Sequence, residues 1–172
     1  MEDLSLHILD IVENSIAAGA RHVDIRIHED RAQDLLWIEI TDDGKGLTAE
    51  ELHQVVDPFF TTRTTRRVGL GVPLFRQAAL ATGGAFEMES SRPGGGTRVK
   101  AEFRRSHLDR QPLGDIASTL LALIAGRPEV EFSCRHESNG DEVACSTREI
   151  KARLGDRALQ SPAGIAEVRR SL

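Results

Sequence analysis

Apolar residues recur at every third or fourth position near the start of the chain: Leu9, Val12, Ile16 and Ala20. This spacing predicts an amphipathic helix over residues 3–18. Asp10 and Asn14 fall in the same two turns, four residues apart, so their side chains project from one face of the helix. A carboxylate one turn from a carboxamide is either a solvated surface or a base beside a metal ligand, and the rest of the chain has to decide between the two.

Alternating apolar and polar residues predict a half-buried strand at 22–29, and a polar loop joins it to a second strand at 35–40. Thr48, with Glu51 three residues later, forms a capping box that begins a short helix. The remaining elements of the first hundred residues are a helix at 72–84 and strands at 85–90 and 97–103. Antiparallel strands with helices on one face predict an α+β fold, a two-layer α/β sandwich, in place of a wound parallel sheet.

A polar linker at about residues 105–114 separates this region from the rest of the chain. Beyond it, the patterns predict a helix, two strands and two further helices. Asn139-Gly140, between the two strands, is a strong signal for a two-residue hairpin turn. We therefore predict two domains, residues 1–105 and a small α-β-β-α domain of residues 106–172.

The two cysteines of the chain flank this turn. If Asn139 and Gly140 form a two-residue turn, Cys134 and Cys145 lie directly opposite each other on paired strands. A stable disulfide is not expected in a reducing compartment. A redox-sensitive pair and two small core residues are therefore the alternatives.

Composition narrows the range of functions. The net charge of −5 over 172 residues argues against nucleic acid as the main partner. No apolar run approaches the about 18 residues of a membrane span, and the acidic N-terminus is unlike a secretory signal, so no membrane association is expected. With one tryptophan and no tyrosine, a base-stacking platform for single strands is poorly supported. A cytoplasmic protein is the simplest interpretation.

The stretch TDDGKGL, residues 41–47, follows the second predicted strand. It places the carboxylate of Asp42 at the end of the strand. Gly44 and Gly46 then mark positions where the backbone bends sharply or lies close to a ligand. A tight turn without a ligand is the alternative, because Asp-Gly pairs also occur in ordinary turns.

A second glycine-containing stretch, DPFFTTRTTRRVGLGVPLF, runs from residue 57 to residue 75. Its arginines supply positive charge, and Gly69, Leu70 and Gly71 lead directly into the helix at 72–84. Backbone amides at a helix N-terminus, left open by glycine, form an anion site suited to phosphates. The stretch is neither a Walker loop nor a dinucleotide-binding fingerprint.

Taken in chain order, these signals resemble the GHKL superfamily of ATP-binding domains, which includes DNA gyrase, the heat-shock chaperone, histidine kinases and the mismatch-repair ATPase. The matching motifs are Asp-x3-Asn on the first helix, Asp-x-Gly-x-Gly after a strand, Phe-Phe-Thr-Thr-Arg, Gly-Leu-Gly opening a helix and Gly-Gly-Thr before the last strand. They span roughly residues 4–104 and are most similar to histidine-kinase-type domains. The resemblance implies a Bergerat-type fold, a mostly antiparallel sheet with helices on one face.

The resemblance also implies roles for particular residues. Asn14 would hold a Mg²⁺ ion that also binds the phosphates of ATP, and Asp10 stands where hydrolysing members carry a catalytic glutamate, which makes it the candidate general base. Asp42 would accept a hydrogen bond from the adenine amino group. Further positions implied to contact ATP are Gly44, Gly46, Thr97, Gly69, Leu70 and Gly71, with Arg63 or Arg67 reaching the terminal phosphate.

The linker contains a weaker signal. His107, Arg110, Pro112 and Leu113 have the spacing of the phosphoacceptor box of histidine kinases, so His107 is a candidate phosphoacceptor. The alternative is a charged linker whose similarity to that box is accidental.

The resemblance implies a Mg-ATP-binding, histidine-kinase-like signalling protein that transfers phosphate to a separate partner protein or regulates it. Two alternatives stay open at this point. One is a non-enzymatic switch whose partner affinity changes when ATP binds, and the other is a plain ATPase similar to the mismatch-repair enzyme. The partner is not identified by the sequence, and a homodimer is left open as an assembly.

Overall fold

The computed structural model describes residues 2–56, 71–90 and 95–172. The helices in these ranges are α1 (Leu4–Ala17), α2 (Ala49–Val56), α3 (Gly71–Ala81), α4 (Ile116–Gly126), α5 (Thr147–Leu154) and α6 (Pro162–Arg170), with a short 3-10 helix at Ala158–Gln160. The strands are β1 (His22–Asp30), β2 (Leu35–Asp42), β3 (Phe86–Ser90), β4 (Thr97–Arg104), β5 (Glu131–Ser138) and β6 (Asp141–Ser146). The elements predicted from hydrophobic periodicity are thus present, with ends displaced by a few residues.

The described strands form one sheet in the order β3-β4-β2-β1-β5-β6. Neighbouring strands are antiparallel except for β1 and β5, which pair in parallel from His22 opposite Glu131 to Glu29 opposite Ser138. The prediction of an α+β fold with a mostly antiparallel sheet is confirmed.

The hydrophobic core lies between the sheet and the helices. Buried residues alternate along the central strands with half-buried or exposed polar ones, as expected for a sheet with one buried face. The buried strand residues include Val23, Ile25, Ile27, Leu36, Ile38, Ile40, Val99, Ala101 and Phe103. They belong to one cluster with the apolar sides of α1, α3 and α4. The two-layer arrangement therefore follows from the pattern of the sequence.

The C-terminal residues extend this sheet and do not form a sheet of their own. The α-β-β-α order predicted for residues 106–172 is present as α4, β5, β6 and α5, followed by the 3-10 helix and α6. However, β5 pairs with β1, so the boundary predicted near residue 105 does not divide the sheet. Alternation predicts that a segment is a strand but not which strand it pairs with, and this is why the parallel pairing was not foreseen.

The hairpin of β5 and β6 has the predicted register. Asn139 and Gly140 both have positive φ, 52° and 96°, as a two-residue turn of this kind requires. Cys134 lies directly opposite Cys145, and both are buried free thiols. The predicted juxtaposition of the cysteines is confirmed.

The linker packs against the N-terminal end of α1. Asp3 caps this helix by accepting a hydrogen bond from the Leu6 amide, and the Leu4 amide donates to the Pro112 carbonyl at 2.9 Å. These contacts fix α1 at one end, while its C-terminal end leads into β1. Within the described ranges, no helix is both long and apolar enough to cross a bilayer.

Candidate functional site

Helix α1 carries two polar side chains, Asp10 and Asn14, on the side away from its buried residues. Its apolar residues, including Leu4, Ile8 and Val12, are buried in the core, so Asp10 and Asn14 lie on the other side of the helix. Asp10 is exposed and Asn14 is half-buried. Neither side chain makes a hydrogen bond with a residue in the described parts of the chain. Two oxygen-bearing groups one turn apart are therefore available for a ligand.

Asp10 lies against the first residue of α3. A Cβ atom built on Gly71 would be 2.8 Å from the Cβ of Asp10 and 3.4 Å from its Oδ2. One turn further along both helices, the rings of His7 and Phe75 are 5.4 Å apart. The helices thus bring the predicted base next to the predicted phosphate-binding turn. Gly71 is described here, whereas the other predicted phosphate contacts lie outside the described residues: Arg63, Arg67, Gly69 and Leu70.

Asp42 ends β2 below the C-terminal half of α1. Its Oδ2 accepts a hydrogen bond from Ser15 Oγ at 2.7 Å, and its Oδ1 accepts one from the Gly44 amide at 2.8 Å. Each carboxylate oxygen keeps a further lone pair that can accept from a ligand. Ser15 was not predicted. The signal that could have identified it is its place directly after Asn14, on the side of α1 turned towards the sheet.

The loop after β2 is folded tightly against β4 and α1. A Cβ on Gly44 would lie 2.9 Å from Asp42 Oδ1 and 3.3 Å from the Ala18 Cβ. Gly46 has a φ of 70°, which glycine adopts easily. The Gly96 amide donates to the Gly44 carbonyl at 3.1 Å, and a Cβ on Gly96 would lie only 1.9 Å from the Asp42 carbonyl oxygen. The predicted glycines therefore allow close backbone approach, and Gly96 belongs with them.

A row of polar side chains crosses three strands at this end of the sheet. Asp42 on β2 is opposite Thr97 on β4, and Thr97 is opposite Ser90 on β3. Asp42 and Thr97 have the same parity as the buried residues of their strands, and Ser90 has that of Phe86 and Met88, which pack against the core. All three positions are therefore on the helix-facing side of the sheet. Ser90 was not predicted, because nothing in its local sequence indicates which residue it faces across the sheet.

Asp43, next to Asp42, stabilises the backbone between α1 and β1. Its Oδ1 accepts hydrogen bonds from the amides of Arg21 and His22 at 2.7 and 2.9 Å, which closes the connection between α1 and β1. Partial burial opposes ionisation, but these hydrogen bonds outweigh it and hold the pKa of Asp43 below its ordinary value. The two neighbouring carboxylates thus differ in role, since Asp43 is committed to the backbone.

His107 lies beyond the end of β4 that is remote from Asp42. The strand β4 begins at Thr97, beside Asp42, and ends at Arg104, and eight residues of strand span about 23 Å. His107 follows beyond that far end, where its Nδ1 accepts a hydrogen bond from the Asp109 amide at 3.2 Å. The structure places Asp42, Gly44 and Thr97 together at one end of the sheet, and Asp10 beside Gly71 with Asn14 one turn away on α1. His107 lies beyond the other end of β4.

Comparisons with known proteins identify the family to which the chain is similar. The model of the family "Histidine kinase-, DNA gyrase B-, and HSP90-like ATPase" matches residues 2–107. The "Non-motile and phage-resistance protein" of Caulobacter vibrioides is 29% identical over 120 residues, which are 64% of this chain and 14% of that protein. The "Sensor protein kinase PilS" of Pseudomonas aeruginosa is 30% identical over 92 residues, 51% of this chain and 17% of that protein. The chain therefore spans less than a fifth of the length of these curated relatives.

Solved structures show the same fold. The "Aquifex aeolicus MutL ATPase domain complexed with ADP" superposes with a TM-score of 0.54 over 91% of this chain and 68% of that chain, at 19% identity. The N-terminal domain of a DNA repair protein gives a TM-score of 0.58 over 91% of this chain and 58% of that chain, at 15% identity. The resemblance inferred from the motifs is confirmed, and the chain belongs to the family of histidine kinase-, DNA gyrase B- and HSP90-like ATPases.

Proposed function

We propose that this chain binds Mg-ATP between α1, the loop after β2 and the start of α3, and acts as a histidine-kinase-like component of a signalling system with a separate partner protein. The observation that carries the proposal is that one helix, α1, places Asp10 against Gly71 and, through the hydrogen bond of Ser15, also contacts Asp42. Asn14 lies on α1 between these two contacts. Family membership and the sensor kinases among the relatives support it. The cytoplasmic location predicted from composition belongs to the same proposal.

The adenine base is proposed to lie against Asp42. Its carboxylate is fixed by Ser15 and the Gly44 amide, yet it keeps acceptor capacity for the amino group of adenine. Gly44 and Gly46 let the backbone close on the base, and Thr97 joins the surrounding hydrogen bonds. An aspartate acceptor favours a base with an amino donor over one with an oxo group, because an unmatched polar group would be costly in a closed site.

The phosphates are proposed to lie between α1 and the start of α3. Asn14 fits a Mg²⁺ ligand, because its carboxamide has no hydrogen-bond partner among the described residues and Mg²⁺ accepts few protein ligands when phosphates and waters complete its shell. When bound, the metal would neutralise part of the negative charge of the phosphates. The backbone of Gly71 offers its amide at a helix start, and Gly69, Leu70 and Arg63, outside the described residues, complete the proposed phosphate contacts.

Asp10 is proposed as the group that accepts a proton from the attacking water or side chain. It is exposed, and its carboxylate lies beside Gly71, where the phosphate chain would end.

The test is incubation of the purified chain with Mg²⁺ and γ-labelled ATP, with binding, released phosphate and label on protein followed together. We expect ATP binding that depends on Mg²⁺ and is lost in Asn14→Ala. The control is Gln77→Ala, which removes an exposed carboxamide from helix α3 and should leave binding unchanged.

The products separate the alternatives. Acid-labile label on the chain would indicate a kinase that phosphorylates itself, with His107 as the candidate phosphoacceptor. Free phosphate alone would indicate a plain ATPase. Asn14-dependent binding without either product would indicate a switch, or a kinase that lacks its partner. Absence of ATP binding in the parent protein would refute the proposal.

A further inference from the structure

Ser90, the last residue of β3, makes three hydrogen bonds that join three parts of the proposed site. Its Oγ donates to the Gly96 carbonyl at 2.7 Å and accepts from the Leu47 amide at 2.8 Å. It also lies 3.0 Å from Thr97 Oγ1. One hydroxyl thus connects the loop after β2, the start of β4 and the side chain next to Asp42.

The donors and acceptors in this set fix the direction of the hydroxyl–hydroxyl contact. A serine hydroxyl has one proton and two lone pairs. The Gly96 carbonyl can only accept, so it takes the proton of Ser90, and the Leu47 amide can only donate, so it occupies one lone pair. The remaining lone pair of Ser90 accepts the proton of Thr97.

The direction of this hydrogen bond determines what Thr97 can offer to a ligand. Once its proton points to Ser90, Thr97 Oγ1 has only acceptor capacity left for any other partner. Asp42, its neighbour across the strands, is also an acceptor. Among the described residues, Asp42 and Thr97 therefore present two adjacent acceptors at this point, which suits an exocyclic amino group that donates one N–H to each of them.

We propose that Ser90 is a positioning residue for base specificity: by taking the proton of Thr97, it makes the site select 6-aminopurine nucleotides over 6-oxopurine nucleotides. This inference rests on the proposed function, since it takes the 6-amino group of ATP to donate one N–H to Asp42 and the other to Thr97. Ser90 itself does not touch the base and acts through Thr97.

The test compares the affinities of ATP and ITP. ITP carries an oxo group in place of the 6-amino group and a proton on the neighbouring N1, so at position 6 it offers Asp42 and Thr97 an acceptor instead of two donors. Removal of the hydroxyl in Ser90→Ala frees the proton of Thr97 to donate to an oxo group. We expect ATP affinity to fall about tenfold and ITP affinity to fall much less, so that the preference for ATP shrinks. Ser90→Thr retains the hydroxyl and should restore the preference.

A purely structural role predicts a different result. Loss of the contact to Leu47 would loosen the loop and weaken both nucleotides equally, so an unchanged ATP-to-ITP ratio in a folded Ser90→Ala protein would overturn the inference. The matched control is Ser106→Ala, at the opposite end of the sheet, which also removes a 2.7 Å hydrogen bond from a serine to an acceptor, there Asp34, and should not change either affinity.

A second variant keeps the test decisive if Ser90→Ala does not fold. Thr97→Val replaces the hydroxyl with a methyl group of similar shape and removes the acceptor directly, so it should show the same reduced preference; a full preference in this variant would overturn the inference. Failure of the proposed function is distinguishable, because the parent protein would then bind neither nucleotide in an Asn14-dependent way.

Discussion

Asp10 and Gly71 touch across the packed helices α1 and α3, and the contact leaves no room for a side chain at residue 71. A Cβ there would lie 2.8 Å from the Cβ of Asp10, an atom that cannot rotate away. Glycine at the start of α3 is thus required by packing, whether or not its amide also binds phosphate. The proposed base and the proposed phosphate-binding turn are held at a fixed distance by the same contact.

Gly71→Ala should therefore push α3 away from α1. We expect a loss of about 1–3 kcal/mol in the free energy of unfolding, measured by urea denaturation, together with weaker ATP binding. Gly126→Ala, at the end of α4, is the control, because a Cβ there meets nothing within 4 Å. Equal stability of the two variants would contradict the packing explanation.

Ser15→Ala should weaken ATP binding without unfolding the protein. The substitution removes the partly buried 2.7 Å hydrogen bond that orients Asp42, and a hydrogen bond of this kind contributes about 1 kcal/mol. We expect ATP affinity to fall several-fold in a titration. Ser118→Ala removes an equivalent 2.7 Å bond from a helical serine to Asp115, remote from the site, and should leave the affinity at the parental value. If both variants bind ATP like the parent, Ser15 does not position Asp42.

The stability of the protein should decrease on mild acidification because of His7. This side chain is only 2% exposed, its Nε2 donates to Gln111 Oε1 at 2.9 Å, and its Nδ1 has no partner among the described residues. Burial lowers the pKa of His7 in the folded protein, so below the ordinary value of about 6.5 the unfolded chain takes up a proton that the folded one does not. Stability is therefore lost as the pH falls from about 6.5 towards the lower folded-state pKa.

The measurement for His7 is urea denaturation at a series of pH values between 7.5 and 5. The variant His7→Leu should have a flatter profile in this range than the parent. His53→Gln, which changes an exposed histidine on α2, should keep the parental profile. A parental slope in His7→Leu would show that other groups cause the acid sensitivity.

Cys134 and Cys145 should react slowly with thiol reagents. Burial raises the pKa of Cys134 to about 12 and that of Cys145 to about 11, so little thiolate exists at neutral pH. We expect slow modification by an aromatic disulfide reagent in the native protein and rapid modification of both thiols in urea. Rapid native reaction, or a loss of free thiols after mild oxidant, would favour the redox-sensitive pair over two core residues.

The sequence predicted those features that depend on neighbouring residues. Periodicity identified the helices and strands, the Thr48–Glu51 capping box is formed by reciprocal hydrogen bonds of 2.9 and 3.2 Å, and the Asn139-Gly140 turn set the register of the cysteines. Ser15 and Ser90 were not predicted, because each makes hydrogen bonds with residues on other elements of the fold. The pairing of β5 with β1 was missed for the same reason, since it joins segments far apart in the chain.

The continuous sheet has a practical consequence for anyone who isolates the ATPase region. A fragment that ended at residue 107, where the family match ends, would lack β5 and would turn β1 from an interior strand into an outer one. The backbone amides and carbonyls from His22 to Glu29 that now pair with β5 would face solvent along an edge that carries none of the bulges or prolines that protect natural edges. Such a fragment should therefore pair edge to edge with other molecules more readily than the longer chain does.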